Sequence, residues 1–260
     1  EFQSISHDAT FKAAFSVIGQ RPMQQGVGGV HALHTITGET GFCPGWSGQR
    51  TEGEEDFALA LKELLPDAAV NQVKIILSDS PAEFFLKHLP NCEGVGGDPI
   101  HLSIRIDGAT NERRTGLSIR VLKLHQKFRQ PAPPGWNIYH GEPVKIPVWD
   151  DVDMGKDFTT RDEIEEYVKT AFESVEEYVG ALRRVAANLP HQLHRKDSKG
   201  VTVLMHLQRA ASHFHYLQNV SVFQRLYPGA LTNTMRNEHL HRQIKDWRRC
   251  VYQCHKEQLA

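Results

Sequence analysis

Neither sign of charge dominates this chain: 30 lysines and arginines stand against 31 aspartates and glutamates, a net charge of -1. No molecule-wide field therefore announces a polyanionic partner, and any such partner must be read from local patches. Cysteine is scarce. Cys43, Cys92, Cys250 and Cys254 form no paired CxxC motifs, and at 260 residues the chain can bury a sizeable core, which excludes a disulfide-stapled miniature. With no hydrophobic leader, this points to an intracellular compartment, the nucleus in a eukaryote or the cytoplasm in a bacterium. Long apolar runs are missing too: none approaches the roughly 20 residues that span a bilayer, so a soluble protein is expected. Internal repeats and low-complexity tracts are absent. What remains, 260 residues of which 40% are apolar and 23% charged, is the composition of one or two ordinary globular domains.

Strand and helix signals alternate in the first half. Phe2 to Asp8, Phe11 to Ile18 and Val30 to Thr37 read as strands, most simply a meander. Glu52 to Leu65 sets Phe57, Leu59, Leu61, Leu64 and Leu65 among carboxylates, an amphipathic helix, and Val73 to Leu77 is a short apolar run of the buried parallel kind. Ser80, Pro81 and Glu83 form a capping box for a helix that runs to about Leu89. Pro99 to Ile106 reads as a strand and Leu117 to Phe128 as a helix. Five prolines between Gln130 and Trp149 then mark a crossing segment, and beyond it Arg161 to Leu189, Val201 to Phe223 and Thr234 to Leu259 look helical. The expected organisation is a core over residues 1–128, a mainly helical insertion over 129–231, and a helix returning to the core over 232–260.

Three carboxylates occupy informative positions. Asp8 ends the first strand and Asp79 follows the strand Val73 to Leu77; two neighbouring parallel strands ending in aspartate bring both to one edge of a sheet, where open α/β sheets bind ligands. A helix cap is the ordinary employment of Asp79, but Ser80 already supplies one. Glu238 stands in the first turn of the last helix, opposite the apolar stripe Leu240, Ile244, Trp247 and Val251 and beside Arg242, Lys245 and Arg249. Its ordinary reading is a carboxylate favoured by the helix dipole.

Charge is segregated along the chain. Residues 151–180 hold ten acids and three bases, residues 181–260 thirteen bases and four acids, and residues 101–129 seven bases and two acids. Two basic segments bracket an acidic one.

Taken together, "SISHDATFK", "VKIILSDSP", "DPIHL" and "TNTMRNEHLHRQIKDWRR" resemble the catalytic domain of DDE/D transposases, nearest to the Mutator-like, hAT and related insertion-sequence families. The likeness covers nearly the whole chain, with Asp98 where cysteine is commoner in the Cys/Asp-x-x-His signature. It implies an α/β RNase H-like fold, a mixed sheet flanked by helices and interrupted by an α-helical insertion. Its catalytic and metal-ligating residues carry over to Asp8, Asp79 and Glu238, with Asp98 and His101 supporting them from behind. The activity implied is divalent-metal-dependent DNA strand cleavage and strand transfer on two Mg2+ or Mn2+ ions, transposon ends and target DNA being the partners of a homo-oligomer. A departure from the family is that no N-terminal DNA-binding domain precedes Asp8, which leaves target-site recognition unaccounted for.

Arg113, Arg114, Arg120, Lys123 and Lys127, with Arg242, Lys245, Arg248 and Arg249, are then candidates for the DNA backbone, although an ordinary solvated helix face explains each of them singly. Trp136, Trp149 and Trp247 are candidates for stacking a flipped base. Two other readings stand beside this one. A non-catalytic, domesticated descendant would bind DNA or protein without cleavage. A zinc module would use pairs among the 15 histidines, such as His213 with His215 or His239 with His241, or Cys250 with Cys254 and His255, but would leave Asp8 and Asp79 unemployed.

Overall fold

A computed structural model describes residues 3–10, 32–110, 116–146, 165–187, 190–244 and 246. The architecture is mixed α/β: five strands, β1 (Ser4–Thr10), β2 (Ala32–Gly38), β3 (Trp46–Gln49), β4 (Ile75–Ser78) and β5 (Gly94–Gly97), form a mixed sheet in the order β3-β2-β1-β4-β5, flanked by helices. The expected strand Phe11 to Ile18 lies outside the described residues. Contacts divide the chain into two compact units, Glu1–Ser78 with Ala82–Glu93 and Asn233–Ala260, and Asp79–Pro81 with Gly94–Thr232.

In the first unit β1 pairs antiparallel with β2, β2 antiparallel with β3, and β1 parallel with β4. Strand alternation gives the sheet two unlike faces. Ile5, His7 and Ile36 are packed on one of them, where the His7 ring meets Phe57 of α1 (Glu54–Leu64) and Phe85 of α3 (Phe84–His88). A short α2 (Asp67–Val70) joins α1 to β4. Phe57 and Phe85 are almost wholly buried, each contributing about 2–3 kcal/mol of transfer free energy. Ser6, Asp8, Thr35 and Thr37 form the opposite face, which is polar yet buried. A helix over residues 235–244 belongs to this unit.

The second unit is helical: α4 (His101–Thr110), α5 (Gly116–Leu124), a 3-10 turn (His125–Arg129), α6 (Val175–Ala187), α7 (Val203–Ser212) and α8 (Phe214–Leu226). Their apolar stripes meet in one core containing Leu102, Ile106, Val121, Phe128, Tyr178, Leu182, Leu207 and Phe214. The proline-rich residues 130–146 carry no regular structure and are tied to α8: Ala132 N–H donates to Ser221 O, and the Asn219 amide holds Tyr139 by both its N–H and its carbonyl. Asn219 also donates to Val95 O, so α8 grips β5. Gly97 permits that approach, because a Cβ there would stand 3.3 Å from Leu217.

Several expectations are corrected. Pro99 to Ile106 is no strand: β5 ends at Gly97, and α4 begins at His101. The alternation Ile100, Leu102, Ile104, Ile106 is misleading, since Ile104 is 44% exposed while Leu102, Ile106 and Ala109 are buried at helical spacing. The helix expected to open at Ser80 and Pro81 starts later: α3 begins at Phe84, after Glu83 in helical conformation without a side-chain cap bond. Val201 to Phe223 is two helices separated at His213, the first capped by Thr202 Oγ1, which accepts from Met205 N–H. Arg161 to Leu189 is likewise interrupted; residues 168–174 are non-helical and α6 begins at Val175. Strand β3 carried no signal that marked it. Among the described residues no helix is long and apolar enough to cross a membrane.

Candidate functional site

The polar face of β1 and β2 is the floor of the site in the first unit. Asp8 is not at the end of β1 but inside it, opposite Thr35, and is 3% exposed. The helix over residues 235–244 brings Thr234, Asn237 and His241 to buried positions one turn apart. That is a correction to its reading: the expected apolar residues Leu240 and Ile244 are only half-buried, and the buried stripe is polar because the strands beneath it are polar. Asn237 donates from Nδ2 to Ser6 O at 3.1 Å and to Thr35 O at 3.4 Å, and the Thr37 hydroxyl donates to its Oδ1. Arg236 donates to the carbonyls of Gly38 and Glu39 at the end of β2. These bonds fix the helix in register against the sheet.

Glu238 follows Asn237 and is half-buried. Its carboxylate and that of Asp8 offer oxygens within 4.8 Å of one another, close enough to share a cation. Two acids separated by 230 positions thus meet because the strand and the helix are bonded together between them. His241, fully buried, lies 2.9 Å by Nε2 from the Thr35 hydroxyl and 3.4 Å by Nδ1 from Asp8 Oδ2. On the other face of the sheet, His7 Nε2 is 3.1 Å from His34 Nδ1, and burial pushes the pKa of His7 well below the usual imidazole value. It is a neutral core histidine.

Asp79 immediately follows β4. His7 on β1 is in register with Ser78, the last residue of β4, and in sequence an aspartate follows each of them, Asp8 and Asp79. Within the second unit Asp79 has employment that the sequence did not suggest: Arg105 of α4 stands 3.6 Å from its Oδ2 and donates to its main-chain oxygen at 3.2 Å.

Asp98 and His101 are a local pair. The Asp98 carboxylate turns the chain from β5 into α4, accepting from Ile100 N–H at 2.7 Å and from His101 Nδ1–H at 2.8 Å. The x-x spacing is what this turn requires. Asp79, Asp98, Arg105, His125, His206, Arg209 and His213 line one small pocket. Desolvation lowers His125 and His213 to about 4, so both are neutral near pH 7. His125 is held between Pro99 O and the Tyr178 hydroxyl.

The expected DNA-contacting residues fare unequally. Arg120 and Lys123 of α5 are half-buried, and Arg242 is exposed. Arg113, Arg114, Lys245, Arg248 and Arg249 lie outside the described residues, as do Trp149, Trp247, Cys250, Cys254 and His255. Lys127 is corrected: it is buried, with Nζ 3.3 Å from Glu177 and 3.7 Å from the centre of the Tyr167 ring. Trp136 packs against the helical core. Among the described residues neither histidine pair forms a zinc cluster: His239 is exposed where His241 is buried, and His215 stacks on Tyr139 at 4.1 Å. Sequence reasoning missed Asn237 and His241. Their spacing from Thr234 was a readable helical stripe, but an all-polar one, which hydropathy does not register. Comparison with protein-family models, with curated proteins and with solved structures returns no match.

Proposed function

We propose that the chain is the catalytic domain of a DDE/D transposase with an RNase H-like core, cleaving and joining DNA strands. The observation that carries this reading is the meeting of Asp8 and Glu238 within 4.8 Å. The strand order β3-β2-β1-β4-β5, with β1 central, antiparallel to β2 and parallel to β4, supports the RNase H-like assignment. Asp79, which follows Ser78 in sequence, is the third acid that the same reading calls for.

The two carboxylates are hard oxygen donors, which suit Mg2+ or Mn2+. Two such ions, held by Asp8, Asp79 and Glu238, would activate the attacking water or 3'-hydroxyl and steady the leaving oxygen of the phosphodiester. The chain's own contribution is placement. Asp8 is fixed by strand pairing, Glu238 by the Asn237 anchors one residue earlier, and Asp98 with His101 turns α4 away from β5. Arg120, Lys123 and Arg242 are the described bases offered to the DNA backbone, and assembly on DNA as a homo-oligomer belongs to the same reading.

Mg2+- or Mn2+-dependent nicking of supercoiled plasmid tests it. Asp8→Asn, Asp79→Asn and Glu238→Gln are each expected to abolish nicking, as is chelation; nicking that survives any of them overturns the reading. A second reading, a non-cleaving descendant that binds DNA or a protein, draws on the Arg105 guanidinium placed against Asp79. DNA binding without metal-dependent cleavage would favour it.

A further inference from the structure

We propose that His241 is a positioning residue that holds the Asp8 carboxylate in the orientation in which it faces Glu238. The inference rests on the metal-dependent reading above and adds a residue to it. Three elements converge to make the contact. Strand β1 presents Asp8 on the polar face of the sheet, β2 presents its register partner Thr35 beside it, and the helix over residues 235–244 brings down His241. His241 stands three residues after Glu238, hence about one turn along the same side of that helix. The element that supplies one acid therefore also supplies the group that orients the other.

The two imidazole nitrogens have separate tasks. Nε2 lies 2.9 Å from Thr35 Oγ1, a bond in which either atom can be the donor, and Nδ1 lies 3.4 Å from Asp8 Oδ2. When Nε2 accepts from that hydroxyl, the ring proton sits on Nδ1, the nitrogen nearer the carboxylate, and this is the tautomer the proposal assigns. Both side chains are buried, His241 wholly and Asp8 to within 3%. A buried aspartate on a strand still has two torsions to set, and the contact of Nδ1 with Oδ2 restrains them. Asn237 makes this arrangement stiff. It ties the helix to Ser6 O and Thr35 O one turn earlier, so the His241 ring cannot drift from Asp8 without breaking those bonds.

Two amide substitutions separate the tasks, because an asparagine amide reproduces the position of Nδ1 and a glutamine amide that of Nε2. The probe is Mn2+ alone, titrated into the metal-free chain and followed by electron paramagnetic resonance, with thermal melts confirming that each variant folds. His241→Gln keeps the Thr35 contact, loses the one to Asp8, and is expected to weaken Mn2+ binding about 10- to 100-fold; His241→Asn is expected to stay within about threefold of the parent. Equal affinity of His241→Gln and the parent, or equal loss in both variants, overturns the proposal. The imidazole nitrogen resonances of the metal-free chain give a readout independent of metal. A proton on Nδ1 whose resonance moves in Asp8→Asn supports the assignment, and a proton on Nε2 overturns it. If the parent takes up no Mn2+ while the Nδ1 proton is present and responds to Asp8→Asn, the metal reading falls and the hold of His241 on Asp8 stands.

Discussion

The side-chain amide of Asn237 donates to the main-chain oxygen of Ser6 at 3.1 Å across 231 positions of sequence. Both residues are fully buried, and the same amide reaches Thr35 O while its carbonyl accepts from Thr37. Truncation would leave several buried polar groups unsatisfied, each worth about 1–3 kcal/mol. Asn237→Ala is therefore expected to cost about 3 kcal/mol in urea denaturation, far above the roughly 0.5 kcal/mol of a solvated surface position. Asn237→Asp is expected to cost at least as much, because it puts a carboxylate against two carbonyl oxygens. A loss below about 1 kcal/mol for both variants would show that the helix is not anchored by this residue.

Asp79 and Arg105 make a different kind of pair. Their side chains are 23% and 29% exposed and their charged ends 3.6 Å apart, so solvent screening keeps the stabilisation small. Arg105→Met and Asp79→Asn are each expected to lower unfolding free energy by less than about 1 kcal/mol. Asp79→Asn is nevertheless expected to abolish plasmid nicking. Stability and activity measured on the same preparation check this, and an Asp79→Asn protein that nicks like the parent would remove the aspartate from the chemistry.

How far the sequence could be read depended on which physical signal each element carries. Helix α1 and strand β4 were legible because apolar periodicity placed Phe57, Leu61 and Ile75 to Leu77 correctly within an amphipathic helix and a buried parallel strand. Helix α4 was misread because its apolar residues happen to alternate, and only burial distinguishes exposed Ile104 from buried Ile106. Strand β3, Trp46–Gln49, has two small residues and a glutamine in four positions, too little pattern for any period. In the site, Asp8 and Glu238 were named from local motif order alone. The polar anchoring by Asn237 and His241 was not legible, since it depends on the hydroxyl and carbonyl groups that β1 and β2 happen to turn toward the helix.

Acid is expected to weaken the fold through its neutral histidines. His125, fully buried against Pro99 O and Tyr178, has its pKa lowered by desolvation from 6.5 to about 4. Between those values the unfolded chain binds a proton that the folded chain refuses, so stability is full above pH 6.5 and falls as the pH drops toward 4. The loss from this residue is about 2 kcal/mol at pH 5 by the linkage relation. His7, His34 and His213, also lowered by burial first of all, act in the same direction. Thermal unfolding at pH 7.5 and pH 5 measures the total, and His125→Asn, which keeps a donor toward Pro99 O but cannot titrate, should show the shallower dependence. Parallel pH profiles for parent and variant would contradict the assignment.

Lys127, expected from the sequence among the DNA contacts, is a structural cation. Its side chain is 3% exposed; Nζ donates to Tyr167 O at 2.6 Å, stands 3.3 Å from Glu177 and lies over the Tyr167 ring. Burial lowers its pKa, and Glu177 opposes that shift. Glu177 has further work, accepting from the Tyr167 hydroxyl at 3.0 Å and from Glu173 N–H at 2.7 Å, so it stays ordered when the lysine is removed. Lys127→Met preserves most of the volume but strands the Tyr167 carbonyl and the carboxylate, and is expected to cost about 3 kcal/mol. Glu177→Gln alone should cost about 1–2 kcal/mol, and the double variant less than the sum, with a coupling of about 1–2 kcal/mol from a double-mutant cycle in urea. Additive losses would mean that the two charges do not interact. A Lys127→Met protein as stable as the parent but weaker on DNA would return the lysine to the binding surface.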